Sequence, residues 1–112
     1  MLLAQWHGLA IIRPSGHKHT LKGMLMKIFK YPLEVTDTQI IEMPQDATIL
    51  CVQVQHTVPC IWAAVDENAK RFSRTIYTVG TGHSMNKIPL DAQYVGTYQI
   101  ENGMLVFHVW AD

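Results

Sequence analysis

Cys51, Cys60, His56, His83 and His108 are the side chains best equipped to act as nucleophile, base or metal ligand. A thiol attacks carbonyl carbon when a neighbouring imidazole takes its proton. Cys51, however, sits in the apolar run Ile49-Leu50-Cys51-Val52 with no adjacent charge to lower its pKa, and a buried cysteine behaves as a small hydrophobe. Cys51, Cys60 and His108 also lack the paired spacing on one element that zinc sites use. The pattern therefore assigns no catalytic residue, no metal ligand and no cofactor, and the expectation is a protein that is not an enzyme.

Two further groupings have the chemistry for binding. Gly80-Thr81-Gly82-His83 leads into a segment with Ser84, Asn86 and Lys87. Glycines let backbone amides converge on an anion, and His83 or Lys87 could add charge. With no helix expected after it, the loop is not a dinucleotide or P-loop fingerprint, and a glycine turn needing positive φ explains it more simply. The other grouping is Trp62 and Trp110 with Gln53, Gln99 and His108, the mixture of aromatic, amide and imidazole groups found in interfaces and ligand pockets. Its structural alternative is a second, thinner core with polar groups at the rim.

These residues must be positioned by β-hairpins. Thr48 to Val65 alternates apolar and polar residues about His56-Thr57, and Tyr94 to Ala111 does so about Asn102-Gly103. The first register sets Val52 opposite Ile61, Cys51 opposite Trp62 and Gln53 opposite Cys60. One face then holds Leu50, Val52 and Val54 with Pro59, Ile61 and Ala63, and the other holds Cys51, Gln53, Gln55, Cys60 and Trp62. The second register sets Tyr98 opposite Phe107 and Ile100 opposite Leu105, with Gly96 and Val109 on that apolar face. Val95, Thr97, Gln99, Val106, His108 and Trp110 share the opposite face. A slip of one residue would scramble each set, so the clean segregation supports both registers.

Elsewhere, Lys27 to Tyr31 reads as a strand ended by Pro32, Gln39 to Met43 as one ended by Pro44, and Arg71 to Val79 as a third. No stretch shows a helical stripe. The expected fold is all-β, a small antiparallel barrel or sandwich built from hairpins.

Composition narrows the function classes. The chain has 112 residues, 48% hydrophobic and 16% charged, with a formal net charge of zero, which describes one globular domain with no basic footprint for nucleic acid. No apolar run approaches the roughly 18 residues of a membrane span. Two cysteines without CxxC spacing imply neither a disulfide framework nor a zinc site, so the expected setting is the cytoplasm.

Residues 1–25 read differently. Trp6, His7, Pro14, Gly16, His17 and His19 follow no period, and the broken apolar stretches make a poor secretory signal. His17-Lys18-His19, in a Gly/Pro-bearing segment, reads as a solvated loop rather than a metal site. Lys22-Gly23 must be encoded by a purine tract resembling a bacterial ribosome-binding site, with Met26 a short distance downstream. The expectation is a non-native or disordered leader over 1–25 and a single β-domain over 26–112. Beyond residue 25 stand six Lys/Arg and nine Asp/Glu, a balance of −3, which again disfavours nucleic acid.

Several strings resemble one family of small phage and prophage proteins. They are Ile28-Phe29-Lys30-Tyr31-Pro32-Leu33, Ile41-Glu42-Met43-Pro44, Ile49 to Gln55 with Val58-Pro59-Cys60-Ile61-Trp62-Ala63, Gly80-Thr81-Gly82-His83, and Val95-Gly96-Thr97 with Leu105 to Val109. The resemblance runs from Lys27 to Trp110, and departs at the first turn, where His56-Thr57 replaces the usual Asn-Gly type of pair. It implies a bacterial virus or prophage source and expression in the host cytoplasm, and it carries no established activity or catalytic residue. The expected function is an accessory protein that binds a host or phage protein without catalysis, a homo-oligomer being compatible with it. The alternative is a binder of a nucleotide-like anion through Gly80, Gly82 and His83, with Trp62 or Trp110 as a stacking wall.

Overall fold

A computed structural model describes residues 26–112. The leader expected over 1–25 lies outside the described residues. Seven strands follow in order: β1 (Met26–Pro32), β2 (Thr38–Pro44), β3 (Thr48–Gln55), β4 (Val58–Asp66), β5 (Arg71–Gly80), β6 (Gln93–Ile100) and β7 (Leu105–Ala111). They form two antiparallel sheets, β1-β4-β3 and β2-β5-β7-β6, packed face to face and not closed into a barrel. Of the two expected architectures, the fold is the sandwich. β5 and β6 run in the same direction on either side of β7, so residues 81–92 must return along the length of the sheet.

The first hairpin has the expected register, with Cys51 opposite Trp62, Val52 opposite Ile61 and Gln55 opposite Val58. His56 and Thr57 both take positive φ, 50° and 69°, as a primed two-residue turn requires. Thr57 does so despite its branched Cβ, a conformation that costs roughly 1–2 kcal/mol outside glycine. In the second hairpin the pairs Tyr98 with Phe107 and Ile100 with Leu105 are also as expected. The turn is longer than two residues, however. Glu101 to Met104 form two overlapping turns, Gly103 N–H to Ile100 C=O (3.1 Å) and Met104 N–H to Glu101 C=O (3.0 Å). Glu101 joins Asn102 and Gly103 at positive φ.

Two bulges correct the expected faces. The ladder between β3 and β4 shifts between Ile49 and Cys51, so Leu50 is the extra residue and Ile49 takes its place against the core. The β6–β7 ladder shifts between Tyr94 and Gly96, which turns Val95 inward rather than outward. A bulge inserts one unpaired residue and reverses the alternation beyond it, an effect invisible to a strict period of two. Both bulges lie where β3 and β6 cross. There a Cβ on Gly96 would stand 2.9 Å from Val52 Cγ1, so only glycine admits this approach.

The core is one apolar layer between the sheets. Leu33, Val52, Ile61, Ile76, Tyr98, Val109 and Ala111 form its larger part, and Met43, Ala47, Ala63 and Val65 the smaller, with Ile41 and Ile49 touching both. Each large aliphatic side chain removed from water here contributes roughly 1.5–3 kcal/mol. Arg74 fastens one end of the layer. Its guanidinium donates to Ala47 C=O (3.1 Å) and Asp112 C=O (2.8 Å), and the Asp112 carboxylate accepts from Thr75 N–H (3.1 Å).

Candidate functional site

Because the sheets share their inner faces, their outer faces point away from each other, and the expected site residues divide between them. Trp62 and Gln53 lie on the outer face of β1-β4-β3, while Trp110, His108 and Gln99 lie on the outer face of β2-β5-β7-β6. Neither tryptophan belongs to a core cluster, so the two do not cover a common second core. Gly80, Gly82 and His83 leave the end of β5 and adjoin the Trp110 face.

On the Trp62 face, register sets Lys30, Trp62 and Cys51 in one row and Pro32, Cys60 and Gln53 in the next. Lys30 Nζ donates to Gln55 Oε1 (2.6 Å). The cysteines are diagonal neighbours and both thiols are free. Burial pushes the Cys51 thiol above its ordinary pKa, which disfavours the thiolate a nucleophile needs. Cys60 Sγ makes a weak contact with Val58 C=O (3.5 Å). This face offers little reactive chemistry.

The opposite face is built differently. Pairing across β2, β5, β7 and β6 aligns Thr38, Tyr77, Trp110 and Tyr94 in one row. The Tyr94 and Trp110 rings meet edge to face, with centroids 5.1 Å apart and planes at 62°. Tyr94 is 57% exposed. The next row carries Val79, His108 and Thr97. His108 is held at both ring nitrogens, Nδ1 to Thr97 Oγ1 (2.9 Å) and Nε2 to Thr81 Oγ1 (2.7 Å), and the Tyr94 hydroxyl bonds Thr97 Oγ1 in turn. A neutral imidazole donates from one nitrogen and accepts at the other, so the two threonine hydroxyls fix the plane of the ring. The Thr81–His108 pair has the spacing of a hydroxyl–imidazole dyad. Its third member is a threonine, not the carboxylate that orients and stabilises an imidazolium in such sites.

Gly80-Thr81-Gly82-His83 forms a tight turn, with His83 N–H donating to Gly80 C=O (3.0 Å) and Gly82 at φ +89°. That is type II geometry, which calls for glycine at its third position. A Cβ on Gly80 would find ordinary contacts at 3.7 Å, so backbone conformation at Gly82 is the constraint here. Beside the turn, a cleft of about 190 Å³ lies between the end of β5 and the following segment, lined in part by Asp37, Thr78, His83, Asn86 and Lys87. Lys87 Nζ stands 3.8 Å from Asp37 Oδ2, so its charge is already opposed. A second cleft of about 250 Å³ at the Met26 end holds Asp46, Asp66 and Lys70. Both are smaller than the roughly 300–1,000 Å³ of most small-molecule sites.

A family model matches residues 24–112, and its description is a domain of unknown function, DUF7352. The chain belongs to that family. No curated protein and no solved structure matches it significantly. Among the described residues of this DUF7352 domain, no group of three or more His, Cys, Asp or Glu side chains is placed to hold a metal ion. No helix among them is long and apolar enough to cross a membrane.

Two residues central to the Trp110 face carried no signal in sequence. Tyr94 and Thr81 lie outside the paired alternation, and the bulge at Val95 hides the fact that Tyr94 stands beside Trp110. Thr81 meets His108 across 27 positions of sequence, a contact only the sheet order creates.

Proposed function

We propose that this domain is a non-enzymatic protein-interaction module that seats a partner protein on the outer face of β6 and β7. The observation that carries the reading is the Tyr94–Trp110 pair, exposed at Tyr94 and held by the Tyr94–Thr97–His108–Thr81 hydrogen-bond chain. Rigid aromatic side chains with a polar tip lose little entropy on binding and dominate interface energetics. Leu90, fully exposed four residues before Tyr94, adds apolar surface on the approach to β6. A bacterial virus or prophage source, a host or phage partner and action in the bacterial cytoplasm belong to the same proposal and are supported by the sequence resemblance. The anion-binding alternative rests on the His83–Lys87 cleft, whose small volume and opposed lysine favour it less.

Photo-crosslinking from two positions tests the reading. A benzoylphenylalanine at position 94 is expected to capture a discrete protein in bacterial cells, and one at Gln53, on the other face, is not. Tyr94→Ala should then weaken binding of the captured protein, measured by titration, while the melting temperature falls only by the small amount that loss of one edge-to-face pair costs. Capture only from position 53, or phosphate binding lost in His83→Ala with no capture from 94, overturns the proposal.

A further inference from the structure

Among the described residues, the outer edge of β2 is the least protected edge of either sheet. Register places Asp37 opposite Thr78 and Gln45 opposite Lys70 at the two ends of the β2–β5 ladder, and both pairs are hydrogen-bonded, Thr78 N–H to Asp37 C=O (2.9 Å) and Gln45 N–H to Lys70 C=O (2.7 Å). Antiparallel pairing alternates, so the odd-numbered residues of β2 bond to β5. Thr38, Ile40 and Glu42 therefore turn their N–H and C=O groups outward. Pro44, next in that series, has no N–H to leave there. β2 ends its sheet, and no described strand pairs with its outer side.

The other edges are managed. β3 and β6 lie against each other at Val52 and Gly96. β1 carries Lys27 and Lys30, and lysine on an edge discourages further pairing. β2 has no lysine and no bulge, its one charge, Glu42, is held by Ser73 Oγ, its Pro44 blocks only the last position, and its Ile40 is 67% exposed.

We propose that β2 pairs antiparallel with β2 of a second copy of this chain, about a two-fold axis at Ile40. That register is self-complementary. Ile40 faces its own copy, and Thr38 faces Glu42 twice, so all three outward-facing residues exchange backbone bonds. The Glu42 carboxylate is already steadied by Ser73 Oγ (2.7 Å) and keeps an acceptor for the opposing threonine hydroxyl. A one-residue slip and registers shifted toward Pro44 are worse. A shift of two residues sets Ile40 against Glu42 and Thr38 against Pro44, a further two sets Glu42 against Glu42, and a shift of one turns core faces outward. In the resulting eight-stranded sheet the joined β2 edges lie on the opposite side from β6, with β5 and β7 between, so either assignment can fail without the other.

Sedimentation velocity on the full chain across a concentration series provides the test. The expected result is a reversible dimer. Ile40→Lys, which puts two lysines face to face, should raise its Kd by about tenfold or more and leave the melt of the monomer unchanged. Thr38→Lys, which creates two Lys–Glu pairs in this register alone, should lower the Kd about threefold. A parent that stays monomeric to about 1 mM, a dimer indifferent to Ile40→Lys, or a dimer weakened by Thr38→Lys overturns the proposal. So does a monomer whose capture of another protein is abolished by Ile40→Lys, which assigns the edge to a foreign strand.

Discussion

Along one flank of the sandwich β3 and β6 press together, each bent by a bulge, with Val52 seated over Gly96. Along the other flank β1 and β2 have no partner strand on their outer sides among the described residues, one carrying two lysines and the other a single glutamate before its terminal proline. The closed flank achieves its contact by irregularity: an extra residue in each strand and a missing side chain. The open flank keeps regular ladders and leaves its hydrogen-bonding groups for something else. In this fold, local regularity and local closure are alternatives.

The largest effect is expected where the closed flank is pried apart. Gly96→Val should cost roughly 2–3 kcal/mol, because its side chain must displace Val52 or separate the strands. Gly96→Ala should cost less, and pairing it with Val52→Ala should recover part of the loss in a double-mutant cycle followed by thermal melts. Additive costs in that cycle would mean that the Val52–Gly96 contact does not hold the flank.

Strain on the closed side supplies the next test. Four of the five non-glycine residues at positive φ, namely His56, Thr57, Glu101 and Asn102, lie in the turns that follow β3 and β6. Thr57→Gly should raise stability by about 1 kcal/mol, the relief of a branched residue in the left-handed region less the entropy of the added glycine. An unchanged or lower melting temperature would show that Thr57 is not strained there.

The smallest effects concern two tyrosines, Tyr98 on closed strand β6 and Tyr31 on open strand β1. Both hydroxyls are buried with no hydrogen-bond partner among the described residues. Tyr98→Phe should be neutral or stabilising by up to about 1 kcal/mol, since it removes a desolvated polar group. Burial raises the pKa of both above the usual tyrosine value, with Arg71 partly offsetting it at Tyr31. The neutral form is thus favoured in the folded state, and the unfolded chain ionises first. Stability should be level below about pH 10 and fall above it, and the double Phe variant should flatten that decline. An equal alkaline slope in parent and variant would remove these tyrosines from the account.

Much of this was legible in the sequence because hairpins are local. His56-Thr57 and Asn102-Gly103, flanked by alternating residues, define both registers, and the proline-ended strands near Pro32 and Pro44 are where they were expected. The bulges at Leu50 and Val95 were not legible. They answer to how two sheets cross, and that depends on Gly96 meeting Val52 from the far side of the chain. Alternation likewise groups the residues of one hairpin face but does not say that two hairpins stand back to back. Trp62 and Trp110 therefore looked like one site and point in opposite directions. His83 was legible as part of a turn, while the Thr81–His108 bond that joins that turn to the Trp110 face was not.

The order β2-β5-β7-β6 also sets a timetable for assembly. β7 is the last of the seven strands to be synthesised, yet it stands between β5 and β6 and contributes Val109 and Ala111 to the core. Until it leaves the ribosome, β5 lacks one neighbour, β6 lacks its only ladder, and neither can bury its inner face. The four-stranded sheet must therefore wait for β7, whereas β1, β3 and β4 can pair as soon as residue 66 is free. The three-stranded sheet can pair during translation but waits for the other sheet to cover its inner face; the half that carries Tyr94 and Trp110 forms only after β7 emerges, with its nascent strands exposed to chaperones and to one another in the interval.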